Sequence, residues 1–362
     1  MTFASPGAVR GMRSAFPPAQ LLLAGLLAAC AQPVAAPAGV DFDALFRPAT
    51  TVEILAVEAE WRARDVAARG IVEEGASSVT VLGDLTTVRV FSHLVGEHRH
   101  YGAVLVPAGA AARSLPVLVV AHSGDAGTSV SEVAARLTLM GPQARGFAVV
   151  VPSFRSESIT AGGVTYRSGG EPSLWDGDVD DALAFLNVAL RRVPEADPER
   201  IGVLGTSRGA TVALLMAIRD PRIDLVSEMA GPTDFFDPWV RGLMEEALRE
   251  GPRPLLGVRM LHDRFLRPLA DGLITPARFR RELVRRSPVL WAARLPSVQV
   301  HHGSLDTTVP PAQARVLVAA LRRLDRAAAR DEWLEYPGLG HSTAAFDHGR
   351  TVAFLNRLRR GG

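Results

Sequence analysis

The sequence predicts an α/β protein, with a mostly parallel sheet, an antiparallel N-terminal edge and helices on both faces. Three observations carry this. From residue 116 onward, short continuous apolar runs alternate with helical patterns. Runs without polar alternation are strands buried on both faces, as a parallel sheet requires. Ahead of them lie three strand-like runs broken by Gly-containing turns, which read as an antiparallel meander. Finally, about sixty residues, 234–295, are helical in character and too long for an ordinary connection. They predict a helical insert capping the sheet.

The N-terminus is a separate matter. Arg10 and Arg13 precede "LLLAGLLAA", Leu21 to Ala29, an apolar run far short of the ~20 residues a spanning helix needs. The run ends at "LAAC", and Cys30 is the one cysteine in the chain. This resembles the lipobox of bacterial lipoproteins, whose cysteine becomes the new N-terminus and carries diacylglycerol. Residues 1–29 are therefore expected to be a lipoprotein signal peptide, with Cys30 the lipidation site. The expected location is exported and membrane-anchored, on the periplasmic or outer-membrane face. An ordinary secretory signal with an incidental Cys30 is the alternative, and Met12 offers a second start.

Residues 30–50 read as an Ala/Pro tether and 51–78 as an N-terminal helical segment, with Ile54, Val57, Trp61 and Val66 near helical spacing. The main domain is expected over 79–362. "VTVLG", "TTVRVFSHLV" and "HYGAVLVPAG" form its meander. "PVLVVA" (116–121) precedes a helix near 128–140, and "FAVVVPSF" (147–154) one near 177–191. "IGVLG" (201–205) leads into a helix from Arg208, and "IDLVSEMAG" (223–231) into the insert. "SVQVHHG" (297–303) precedes "PAQARVLVAALRRL". "EWLEYPG" (332–338) precedes a last helix to about Leu358. In such sheets ligands bind beyond the carboxyl ends of the strands.

Composition removes several chemistries. The chain has 362 residues, 48% of them hydrophobic, enough for one large core. All 40 basic residues are arginine. Without lysine there is no Schiff base to pyridoxal phosphate and no P-loop. No G-x-G-x-x-G follows a strand, so no dinucleotide site is expected. The formal charge of +2 falls to 0 once residues 1–29 are set aside, which leaves no electrostatic case for nucleic acid. A lone cysteine makes no intrachain disulfide.

The chemistry gathers at strand ends. Gly205-Thr206-Ser207-Arg208-Gly209 matches G-x-S-x-G between a strand and a helix. A serine there protrudes from a tight turn, and Gly205 and Gly209 let the backbone crowd around it. The helix that follows points its free N–H groups at the serine, where they favour a developing oxyanion. Such a serine needs a base and a group to orient that base. Asp306 in "HHGSLDTTVP" and His341 in "YPGLGHS" both follow predicted strands, so Ser207, Asp306 and His341 are expected to converge. Their order is that of α/β-hydrolases. The oxyanion hole is expected from the N–H of Arg208 and one from "VVAHSGDAG", that of Gly124 or Ser123.

These stretches resemble the catalytic domain of the prolyl oligopeptidase family and, nearly as closely, dienelactone-hydrolase-like esterases. "DPERIGVLGTSRGATVALL", "SPVLWAARLPSVQVHHGSLDTTVPPAQARVLVAAL" and "YPGLGHS" carry the resemblance, over roughly 80–362. It implies an α/β-hydrolase fold, with Ser207 as nucleophile, Asp306 as orienting acid and His341 as base. The expected activity is serine hydrolysis of a peptide or carboxylic ester, with no cofactor and no metal. A small-molecule or peptide substrate and a membrane reached through the lipid anchor are the expected partners. A catalytically silent binding module on the same fold, and acyl transfer to an acceptor other than water, are the competing readings.

Other clusters are read as structural. His98 and His100 lack a third metal ligand, and His301 and His302 point to opposite faces of a strand. Asp178, Asp180 and Asp181 are expected as acids at a helix N-terminus. Arg155 is expected in an ion pair, and the arginines of the insert on a solvated face.

Overall fold

Two capping boxes set the start of early helices. Thr50 N–H donates to Glu53, while the Thr50 hydroxyl accepts from the Glu53 N–H; Ser129 and Glu132 do the same. Each satisfies two otherwise orphaned donors. The structure, a computed structural model, describes residues 39–326 and 330–359. The expected signal, Cys30 and residues 31–38 of the tether lie outside the described residues. Among the described residues no helix is long and apolar enough to cross a membrane.

The strands are β1 (Arg69–Val81), β2 (Asp84–Val95), β3 (His98–Pro107), β4 (Leu115–Ala121), β5 (Thr128–Ser129), β6 (Ala148–Pro152), β7 (Ser158–Ala161), β8 (Val164–Arg167), β9 (Ala196–Thr206), β10 (Ile223–Met229), β11 (Ser297–Gly303) and β12 (Glu332–Tyr336). The helices are α1 (Phe42–Phe46), α2 (Thr51–Arg62), α3 (Val130–Met140), α4 (Gly177–Arg192), α5 (Arg208–Arg219), α6 (Pro238–Glu250), α7 (Leu256–Leu261), α8 (Arg267–Ala270), α9 (Pro276–Arg285), α10 (Ala312–Arg322) and α11 (His348–Leu355).

Nine strands form one sheet in the order β1-β2-β3-β6-β4-β9-β10-β11-β12. β1 to β3 are antiparallel, as is β3 to β6; the remaining neighbours are parallel. Every residue of β4 and β6 is buried, which explains their uninterrupted apolar sequence. α4, α5 and α10 pack one face and α3 and α11 the other, each over its own core. A third core joins α6, α7 and α9 of the insert to Phe42, Leu45 and Phe46 of α1.

Three expectations about the N-terminal part change. The helix ends at Arg62, and Arg69–Val81 is a strand, so the sheet begins about ten residues before 79 and the 51–78 segment is not all helix. β1 is an edge strand with alternating partial exposure; its glutamates, serines and glycines give it little apolar periodicity. The stretch 30–50 is not wholly a tether, because 42–46 is a buried helix. Nor are the insert's arginines all solvated. Arg280 is buried; it pairs with Glu53 and donates to the carbonyls of Leu45, Arg47 and Pro48. It pins the N-terminal chain to the insert.

Candidate active site

Ser207 sits in the corner between β9 and α5 with φ +53°, a conformation costly for any residue with a Cβ. Its N–H donates to the Met229 carbonyl at 2.7 Å, which ties the corner to β10. A Cβ on Gly205 would lie 2.2 Å from the Gly209 carbonyl oxygen, and one on Gly209 2.1 Å from that of Ala121. Neither position admits a side chain, so the two glycines are a steric condition for the turn.

Asp306 follows β11. One carboxylate oxygen accepts the N–H groups of Thr308 at 2.9 Å and Val309 at 3.0 Å. The other meets His341 Nδ1 at 2.7 Å. His341 follows β12, and its Nε2 lies 2.9 Å from Ser207 Oγ. Three side chains separated by 99 and 35 positions thus form one hydrogen-bonded line. Asp306 is buried, which would raise its pKa; bonds from His302, His341 and the Val309 N–H outweigh this and hold it well below the usual carboxylate range.

What brings the His341 loop to Asp306 is a glycine that sequence reasoning passed over. A Cβ on Gly303 would lie 2.3 Å from the Gly340 carbonyl oxygen and 2.4 Å from that of Leu339. With no side chain there, the loops lie flat against each other. Leu305 N–H donates to the Leu339 carbonyl at 2.9 Å, and Gly338 N–H to Ser304 Oγ at 2.9 Å.

Arg208 has two parts. Its N–H belongs to the first turn of α5 and has no intrahelical acceptor. Its side chain is buried and bidentate to Asp178 at 2.8 Å and 2.8 Å; it also pairs with Glu157 and donates to the Gly124 carbonyl at 3.0 Å. The guanidinium therefore holds the loop that carries Gly124. Gly124 has φ +74° and lines the same cavity as Ser207 and Arg208. Ser123 is not among the lining residues; its carbonyl meets His122 Nδ1 at 3.1 Å. Burial pushes the Glu157 carboxyl up to about 7 against the pull of Arg208, and pushes the His122 imidazole down to about 4.

The aspartates of α4 are thus more than a charged helix start. Asp178 takes Arg208, Asp181 takes Arg155 at 2.7 Å, and Asp180 takes Arg64 at 3.0 Å and also Arg219. Arg155 is in the expected ion pair. Which arginine would reach which aspartate had no local signal in the sequence.

His301 and His302 do diverge. His301 stacks on Tyr336 and Phe346, while His302 lies beneath Asp306, with Nε2 donating to the Val309 carbonyl at 2.8 Å and 3.3 Å from Asp306 Oδ2. Burial opposes protonation of His302, but Asp306, Glu228 and the Val309 carbonyl outweigh it and raise its pKa. Glu228, wholly buried on β10, accepts the Gly231 N–H at 3.2 Å. Burial pushes its carboxyl up to about 7 against the pull of His302.

This raised value carries a prediction. Glu228 stabilises the fold fully below pH 4.5, and the contribution is lost as pH rises through about 7. The loss is on the order of 3 kcal/mol. Glu228→Gln should therefore gain stability relative to the parent between pH 4.5 and pH 8 in urea unfolding. An equal difference between the two proteins at both pH values would contradict it.

Residues 101–248 match the sequence model of the family described as X-Pro dipeptidyl-peptidase (S15 family). That span contains Ser207 and ends before Asp306 and His341. No curated protein matches the chain in sequence. Among solved structures, acetyl xylan esterase 1 from a Thermoanaerobacterium species superposes with a TM-score of 0.55 at 20% identity, covering 90% of this chain and 95% of that one. An acetyl xylan esterase from a Paenibacillus species gives 0.56 at 18%, covering 88% and 99%. A Mycobacterium tuberculosis puromycin-hydrolyzing peptidase gives 0.45 at 18%, covering 78% and 39%. The matching family model is thus that of S15 peptidases, and the motif resemblance to prolyl oligopeptidases stands at the level of the shared fold. The chain has the α/β-hydrolase fold, and its residues 101–248 match a family of serine hydrolases, the X-Pro dipeptidyl peptidases.

Proposed function

We propose that the protein is a serine hydrolase that cleaves a carboxylic ester or a peptide through an acyl-enzyme. One observation carries the reading: the line Ser207 Oγ–His341 Nε2–His341 Nδ1–Asp306, at 2.9 Å and 2.7 Å. His341 Nε2 takes the Ser207 proton as Oγ bonds to the acyl carbon. The N–H groups of Arg208 and Gly124 hold the oxyanion that forms. The tetrahedral adduct then collapses, and His341 passes its proton to the departing oxygen or nitrogen. Water attacks the acyl-enzyme with His341 again as base, which frees the acid and restores Ser207. Asp306 keeps the Nδ1 proton in place and stabilises the imidazolium.

The experiment is active-site labelling. A fluorophosphonate probe should modify the protein at one residue, identified as Ser207 by peptide mapping, and abolish turnover of p-nitrophenyl acetate. An unlabelled Ser207 in the folded protein would overturn the proposal and favour a silent binding module.

A further inference from the structure

A cavity of about 310 Å³ opens beside Ser207. Ser207, Arg208 and Gly124 line it together with Thr308 and Val309 of the Asp306 loop, and the insert supplies a wall through Trp239, Leu243 and Leu255. Trp175 and Phe235 meet edge to face, with centroids 4.9 Å apart, as another part of the lining. This wall is built in advance. Trp175 holds φ +65°, and its indole fills the place where a Cβ on Gly257 would sit, 2.2 Å from the ring. The lining is nearly free of charge. Its ionisable side chains are Arg208, already tied to Asp178 and Glu157, and the exposed Asp125.

His341 is not among the cavity's lining residues. The imidazole that accepts the serine proton must deliver it to the leaving group, so that group stands on the His341 side of Oγ. The lining holds the two expected oxyanion residues, Arg208 and Gly124, and reaches Thr308 and Val309 below Asp306 without including the imidazole, so the acyl part is the portion of the substrate that it can receive. An apolar cavity of about 150 Å³ holds benzene. One twice that size holds a chain of roughly six to ten carbons, within the usual range for small-molecule sites.

Resting on the serine-hydrolase reading above, we propose that this cavity is an acyl pocket. The substrate class is then a carboxylic ester of an uncharged, apolar, medium-chain acid, not a peptide presenting a free N-terminal ammonium. The insert sets specificity, and α6 limits the length of the acyl chain.

The test is a series of p-nitrophenyl esters from acetyl to decanoyl. kcat/KM should rise about fourfold per added methylene until the cavity is full, then fall. Leu243→Trp, which fills the wall, should lower the octanoyl-to-acetyl ratio of kcat/KM at least tenfold, with fluorophosphonate labelling of Ser207 showing that the variant folds. Should that variant fail to fold, Leu255→Asp serves instead; Leu255 is 41% exposed at the rim, and the same fall in ratio is expected. A maximum at acetyl, or an unchanged ratio in the folded variants, overturns the proposal. So does faster turnover of Ala-Pro-p-nitroanilide than of any ester, lost in Asp125→Asn. Either result leaves a labelled Ser207 and the hydrolase reading intact. Absence of labelling, by contrast, removes the underlying reading itself.

Discussion

Ser207→Ala is expected to lower kcat on p-nitrophenyl esters by roughly 10³-fold or more with the fold intact. The variant removes the atom that forms the bond to the acyl carbon, and no neighbouring side chain replaces it. Thr206, the adjacent hydroxyl, is buried and already bonded to Arg136. The oxyanion donors and the cavity remain, so a residual rate above that of water is expected. KM should move little, because the cavity walls are untouched. The measurement is a Michaelis profile of both proteins at one pH, with matched melting curves. Undiminished turnover in the variant would remove Ser207 from the mechanism.

Asp306→Asn is expected to lower kcat by about 10⁴-fold, and the hydrogen bonds around it say why. The Asp306 oxygen that accepts from Thr308 and Val309 must stay an oxygen, because both partners are N–H donors. The amide nitrogen of an asparagine is therefore forced to the other position, 2.7 Å from His341 Nδ1. It would donate there, so Nδ1 would become the acceptor and the proton would move to Nε2. A protonated Nε2 cannot take the proton of Ser207. The imidazole stays in place with the wrong tautomer. Labelling of Ser207 should slow in parallel with kcat, while acyl-chain preference stays as in the parent. A loss below tenfold would show that Asp306 does not set the tautomer.

Much of the site was legible in the sequence because it depends on steric rules between near neighbours. Gly205 and Gly209 flank Ser207 for reasons internal to one strand-to-helix turn. Asp306 and His341 each stand just past a strand-like stretch, and a parallel sheet brings such positions to one edge. What stayed hidden depends on partners far apart in the chain. Gly303 ends a strand-like run with no local mark of its role, which is to let the 339–340 backbone lie against it. Asp178, Glu157 and Arg208 are separated by 30 and 51 positions, and nothing local distinguishes them from the many other acids and arginines. β1 escaped because an edge strand need not bury one face, so its periodicity is weak.

The sequence by itself determined the order of the main strands and helices from β2 onward, the parallel character of the central sheet, the strand-end positions of Ser207, Asp306 and His341 and the existence of a helical insert. Those properties follow from apolar periodicity, turn chemistry and backbone sterics, all set by residues within a few positions of one another. Only the tertiary structure decided that the Arg208 side chain anchors the Gly124 loop, that α1 joins the core of the insert, and that the insert walls a mostly apolar cavity beside Ser207. Burial and charge pairing select among many chemically equivalent arginines, acids and apolar side chains, and that selection is made by the whole fold at once.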